Sequence, residues 1–180
     1  LLNAPLFGCF TSRLLIEANR SLEHEQLFSE FTSQLSSLEK EKLIQNFYKP
    51  YREGVQSTIE DLSKPLVHLS IHSFTPIWNN LERKTDIGIL FDPGRNSELE
   101  FSQKLQEQLQ IQLPEFQIHF NEPYKGTDDG FTTWLRKKYK AVDYSGIEIE
   151  MNQKFVSNPS RIEEALVNAI KITMAEFTNL

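Results

Sequence analysis

The order of apolar patterns in this 180-residue chain predicts an α/β fold, a mixed β-sheet flanked by helices on both faces. Three observations carry that expectation. Segments that alternate with period two are interspersed with segments that repeat near 3.6 residues. The run "DIGILFD" is apolar without alternation, which suits a strand covered on both sides. Proline, glycine and asparagine punctuate the joins.

Taken in order, "APLFGCF" and "RLLIEA" predict a strand, or two strands joined by a bend at Thr11 and Ser12. A helix is predicted from Ser37, which can cap it, with Leu43, Phe47, Tyr51, Val55 and Ile59 along one stripe and a kink at Pro50. Leu66, Val67, Leu69 and Ile71 in "KPLVHLSIHSFTP" predict a strand that ends before Pro76. The stretch "SFTPIWNNLERKT" reads as a loop, "DIGILFD" as a strand, and "NSELEFSQKLQEQLQI" as a helix capped by Asn96 or Ser97, with Leu99, Leu105 and Leu109 inward. "EFQIHF" is a further strand, "NEPYKGTDDG" a loop and "FTTWLRKKYKA" a short helix. In "YSGIEIEMNQ", Ile147 and Ile149 alternate with Glu148 and Glu150, the pattern of a strand with one apolar and one polar face. The last segment predicts a helix with Asn158 as cap, Pro159 at the first position and a core stripe through Ile162, Leu166, Ile170 and Met174.

Length and composition fit a single domain over residues 1–180 with its own core. A net charge of -6 without a basic stripe argues against a binder of nucleic-acid backbones, so an anionic substrate would have to be held by local arginines. No apolar run reaches the roughly 18 residues that a membrane span needs, so no membrane partner is expected. The single cysteine, Cys9, supplies neither an internal disulfide nor a CxxC metal pair. It reads as a small hydrophobe on a strand, and the expected compartment is reducing and cytoplasmic. The chain opens on "LLNAPLFGCF", without methionine or signal-peptide pattern, so the true N-terminus is expected upstream.

In such sheets ligands bind beyond the carboxyl ends of strands. "EANR", "SIHS" and "EIEMN" place an imidazole, two carboxylates, an amide and a guanidinium at those ends. These groups suit metal-assisted hydrolysis of an amide in an acidic substrate: an imidazole to ligate, a carboxylate to move protons, a guanidinium to grip a carboxylate. Each residue also has a plainer role open to it. His72 could be a solvated strand-end histidine, and His68 a packed, hydrogen-bonded one. Glu148 and Glu150 could form a solvated strand face, and Asn19 with Arg20 a turn.

Taken together, "SRLLIEANRSL", "FYKPYREGV", "HSFTPIW", "ERKTDIGILFDP", "NEPYKG" and "GIEIEMNQ" closely resemble, in order, the motifs of the N-formylglutamate amidohydrolase family, from Ser12 to about Val156. The resemblance implies a phosphorylase/hydrolase-like three-layer sandwich related to zinc carboxypeptidases and aspartoacylases. It implies a divalent metal cofactor, zinc first, and a small N-acyl amino acid substrate such as N-formylglutamate. It implies His72 as a metal ligand and Glu150 as the carboxylate that handles protons. Asn19 and Arg20 resemble the pair that receives a substrate carboxylate. Arg13, Arg83 and Lys125 match positions near the pocket, and Glu148 either supports the site or faces away. The family's remaining ligands come from an upstream segment with an acidic-His pair and a further histidine. This chain is therefore expected to be the larger C-terminal part of a hydrolase domain, inactive by itself. Thr127, Asp128 and Asp129 stand where formylglutamate enzymes carry a glycine pair after the lysine, which leaves the substrate open. A carboxypeptidase-like or cell-wall amidase activity, or a metal-free binding module that keeps the fold without the ligands, is the alternative.

Overall fold

In a computed structural model, which describes residues 2–157 and 159–177, two nine-residue strands lie side by side. These are β1 (Leu66–Phe74) and β6 (Tyr144–Asn152), parallel and paired from Leu66↔Tyr144 to Phe74↔Asn152. On the far side of β6 runs β4 (Ile87–Leu90), antiparallel to it, and beyond that β5 (Ile118–Phe120), parallel to β4. The sheet is thus mixed, in the order β1-β6-β4-β5.

Alternation gives the sheet two different faces. Val67, Leu69, Ile87, Ile89, Ile147 and Ile149 point to one side, where α3 (Asn96–Gln112) and α5 (Ser160–Phe177) pack with Phe101, Leu105, Leu109, Leu166 and Ile170. Burying each of these larger side chains stabilises the fold by roughly 1.5–3 kcal/mol. The other side is covered by α2 (Lys49–Asp61) and α4 (Phe131–Lys138), where Val55, Ile59, Phe131 and Leu135 pack around Tyr144. Helices, sheet and helices make the expected three layers. None of the described helices is long and apolar enough to cross a membrane.

Several expectations need correction. Residues 2–35 contain neither strand nor helix; Leu15 and Ile16 donate back to the Ser12 carbonyl in a turn, and Leu6 and Phe10 are almost fully exposed. Apolar content alone does not make a strand when no sheet edge pairs with it. Cys9 is accordingly exposed, not a core residue. The cap of α1 (Ser37–Leu43) is Ser36, whose hydroxyl accepts from Glu39 N while the Glu39 carboxylate accepts from Ser36 N. Between α1 and α2 the chain widens into a π-turn at Ile44–Tyr48, just before Pro50, which has no N–H to offer the preceding turn. The stretch read as a loop after β1 holds a small hairpin, β2 (Ile77–Trp78) and β3 (Leu81–Glu82), turned by Asn79 and Asn80 at φ 50° and 61°. The N-cap position of α3 falls on Arg95, one residue earlier than expected, with no capping hydrogen bond from its side chain. The proposed cap Asn158 lies outside the described residues.

A buried ion pair ties the layers together. Glu98 is fully buried at the start of α3; its oxygens accept from Arg136 Nε at 3.0 and 3.1 Å, from Gly146 N at 3.0 Å and from Asp92 N at 2.9 Å. Arg136 donates in turn to the carbonyls of Gly146, at 2.6 Å, and Gly126. With nearly every lone pair and proton matched, the two charges tolerate burial.

Candidate active site

Parallel pairing decides the geometry of the site. His72 is the register partner of Glu150 and Ser70 that of Glu148, so all four side chains project from the same sheet face, on the α2 and α4 side. The row through His72 and Glu150 continues to Gly88 on β4 and His119 on β5.

His72 Nε2 lies 2.8 Å from Ser70 Oγ and 3.8 Å from Glu148 Oε2. Both neighbours use the same nitrogen, whereas a Ser-His-acid relay needs one partner on each nitrogen. The group is therefore no nucleophilic triad. Nδ1 has no hydrogen-bond partner among the described residues. Glu148 is buried, and its Oε1 accepts from the Thr132 hydroxyl of α4. It lies on the same sheet face as His72 and Glu150.

Glu150 is only 7% exposed, and its Oε2 is buried with no hydrogen-bond partner among the described residues. Burial, reinforced by the charge of Glu148, pushes its carboxyl up to about 7, against the pull of Arg13 and Arg83. A carboxyl that titrates near neutrality can both accept and return a proton. The plainer expectation of a solvated glutamate face is thus overturned, because α4 and the loop after β5 cover it. His68, by contrast, meets its structural expectation: Nδ1 lies 2.8 Å from the Tyr144 hydroxyl, and burial, with Arg136 and His72 adding to it, holds the ring down to about 4.

Two residues overlooked in the sequence shape the approach to Glu150. A Cβ on Gly88 would fall on the carbonyl of Glu122 and lie 3.4 Å from Glu150 Cβ, so only glycine lets the loop after β5 cross there. Asn121, at φ 52°, anchors that loop, its Oδ1 accepting from Phe91 N at 3.1 Å and Gly126 N at 2.9 Å. The signals were a lone glycine in an apolar strand and an Asn two residues before Pro123, both visible in the sequence.

The other expected residues are placed differently from one another. Asn19 Oδ1 accepts from Phe131 N at 2.9 Å and so caps α4 across the chain; its Nδ2 is left unpartnered among the described residues. Arg20 donates through Nη1 to the Asp129 carbonyl. Behind them stands Arg52, a third overlooked residue, buried against the rings of Phe131 at 4.2 Å, Tyr48 at 4.9 Å and Trp134 at 5.1 Å and donating to the carbonyls of Ala18 at 3.1 Å and Arg20 at 3.2 Å. Arg13 is exposed and paired with Glu17 at 2.9 Å. Arg83 is half-buried among aromatic rings, and Lys125 is exposed. A cavity of about 870 Å³ runs along β1 and is lined by Ser70, His72, Asn19 and Arg13 together with apolar residues of α2 and α5; Glu150, Arg20, Arg83 and Lys125 are not on its wall.

The fold is that of a three-layer α/β protein, and it is shared with a solved structure, the gene product Atu2144 from Agrobacterium tumefaciens. That chain has a TM-score of 0.65 and 21% identity, over 93% of this chain and 68% of its own length. No curated protein matches. Comparison with protein families matches residues 9–157 to N-formylglutamate amidohydrolase. The chain belongs to that family, a family of hydrolases.

Proposed function

We propose that the protein is a metal-dependent amidohydrolase that cleaves the N-formyl, or another small N-acyl, group from an acidic amino acid such as N-formylglutamate. The observation that carries this reading is the buried Oε2 of Glu150, unpartnered among the described residues, on a carboxyl raised to about 7 and in register with His72.

His72 fits one metal ligand. Its Nε2 is oriented by Ser70 beside Glu148 while Nδ1 has no partner among the described residues, the arrangement in which a ligating imidazole is fixed through its second nitrogen. No group of three candidate ligands occurs among the described residues. A catalytic zinc takes about three protein ligands, and His72 would be one of them. When bound, the divalent ion, zinc first, would polarise the scissile carbonyl and acidify a water.

The protein's own residues do the rest. Glu150 takes a proton from the attacking water and delivers it to the amide nitrogen as the C–N bond breaks, giving formate, or the corresponding acid, and the free amine. Nδ2 of Asn19 and the remaining N–H groups of Arg20 receive the α-carboxylate, held in place by Arg52. Each charge-assisted hydrogen bond there contributes roughly 1.5–3 kcal/mol. With one cysteine in the sequence we place the activity in the cytoplasm.

The experiment is hydrolysis of a panel of N-formyl and N-acetyl amino acids by the full-length protein, with and without chelator. Turnover of the glutamate derivative, abolished by chelator and restored by zinc, is expected. Absence of turnover with every acylated acidic amino acid would overturn the reading.

A further inference from the structure

An acidic amino acid carries two carboxylates, and the Asn19-Arg20 pair accounts for one. The other needs a cation close to the reacting amide that is not already neutralised. Two arginines act on Glu150 through their charge, Arg13 and Arg83. Arg13 is exposed and already paired with Glu17 at 2.9 Å. Arg83 has no carboxylate partner among the described residues; Nη1 donates to the Tyr124 hydroxyl at 3.2 Å and, at 3.4 Å, to the Thr75 carbonyl.

The guanidinium of Arg83 is also held by rings on three sides. Its Cζ lies 5.1 Å from the Tyr124 centroid and 5.5 Å from those of Phe74 and Trp78. The β2-β3 hairpin supplies Trp78, β1 supplies Phe74, and the loop anchored by Asn121 supplies Tyr124. Aromatic faces orient a guanidinium without neutralising it, so its free N–H edge keeps full capacity for a bidentate anion.

Position matches the reach of the substrate. Phe74 is two residues beyond His72 on the same sheet face, about 6.6 Å further along the strand. Four bonds separate the scissile amide nitrogen of N-formylglutamate from its side-chain carboxyl carbon, an extended span of about 5 Å. We infer that Arg83, caged by Phe74, Trp78 and Tyr124, binds the side-chain carboxylate of the substrate and sets the preference for an acidic amino acid over its neutral amide. This rests on the amidohydrolase reading above, and its test includes a measurement that needs no turnover.

In the full-length protein, Arg83→Met should raise the KM for N-formylglutamate about ten- to a hundredfold and leave that for N-formylglutamine within about threefold. Arg83→Lys should recover part of the loss, and Tyr124→Phe, which keeps the ring, should raise the KM for the glutamate substrate several-fold. Equal losses on both substrates, or a fall in kcat at unchanged KM on both, would overturn the inference. Independently, in a Trp134→Phe background the emission of Trp78 should respond saturably to glutarate and at least about tenfold more weakly to glutaramate, and Arg83→Met should abolish the glutarate response. An unchanged response in Arg83→Met, or none in the parent, contradicts the site. A glutarate response without hydrolysis sinks the amidohydrolase reading alone; hydrolysis without discrimination by Arg83 sinks this inference alone.

Discussion

Removing the charge of Glu150 should stabilise the fold, and only above a definite pH. An unfolded glutamate titrates near 4.5, and burial with Glu148 raises the folded-state value to about 7. Below pH 4.5 the carboxyl is protonated in both states and its burial is harmless. As pH rises from 4.5 to 7 the unfolded chain releases the proton while the folded protein retains it, so stability is lost progressively; above 7 the loss is complete. The gap of about 2.5 units corresponds to about 3 kcal/mol at 1.36 kcal/mol per unit. Glu150→Gln keeps the shape and has no proton to lose. Urea unfolding of the metal-free proteins, with chelator present, measures the effect at pH 4 and pH 8. The variant's advantage over the parent should grow by about 3 kcal/mol between the two, a difference that cancels any constant cost of the amide. A flat difference, or a parent that gains on the variant as pH rises, would refute the placement of Glu150 in a closed, uncompensated environment.

Other substitutions probe the frame around it. Asn19→Ala should remove the cap on α4 and lower stability by about 1 kcal/mol in the same urea assay, with a matching loss of helical ellipticity. Gly88→Ala should force the Glu122 carbonyl off the sheet, costing roughly 1–3 kcal/mol and displacing Tyr124, which the exposure of Tyr124 to chemical iodination would report. Glu98→Ala should leave Arg136 buried without its partner and cost about 3–5 kcal/mol, shifting the thermal midpoint by many degrees.

The sheet was legible where alternation and length agreed. Ile147 and Ile149 against Glu148 and Glu150, and the unbroken apolar run of β4, predict strands whose covered faces the structure confirms. The helices α3 and α5 were legible from their stripes, and α4 was read as a short helix from "FTTWLRKKYKA". What failed was local pattern without a partner: "APLFGCF" has the apolar content of a strand, but no edge in the described residues pairs with it. The hairpin at Trp78 escaped because two-residue strands carry no periodicity; its Asn79-Asn80 turn was the available signal.

The site divides along the same line. His72 and Glu150 stand out because they are polar residues at strand ends, and parallel register then puts them together. That Glu150 is buried does not follow from its sequence, since an alternating glutamate reads as solvated until α4 and the Gly88 crossing are known. Arg52 and Glu98 are charged residues inside helical stripes, where pattern assigns them to solvent; only their partners across more than thirty residues reveal them as buried. Asn19 reads as a turn residue, and its capping of α4 spans 112 positions.

The central claim is that the imidazole of His72 and the carboxyl of Glu150 form one hydrolytic centre with separate tasks. The most direct measurement takes metal content and turnover of N-formylglutamate together in three full-length proteins: the parent, His72→Ala and Glu150→Gln. Loss of both metal and turnover in the first variant, with full metal and turnover reduced about a hundredfold or more in the second, is the predicted result. Turnover near the parent's in Glu150→Gln would contradict the account.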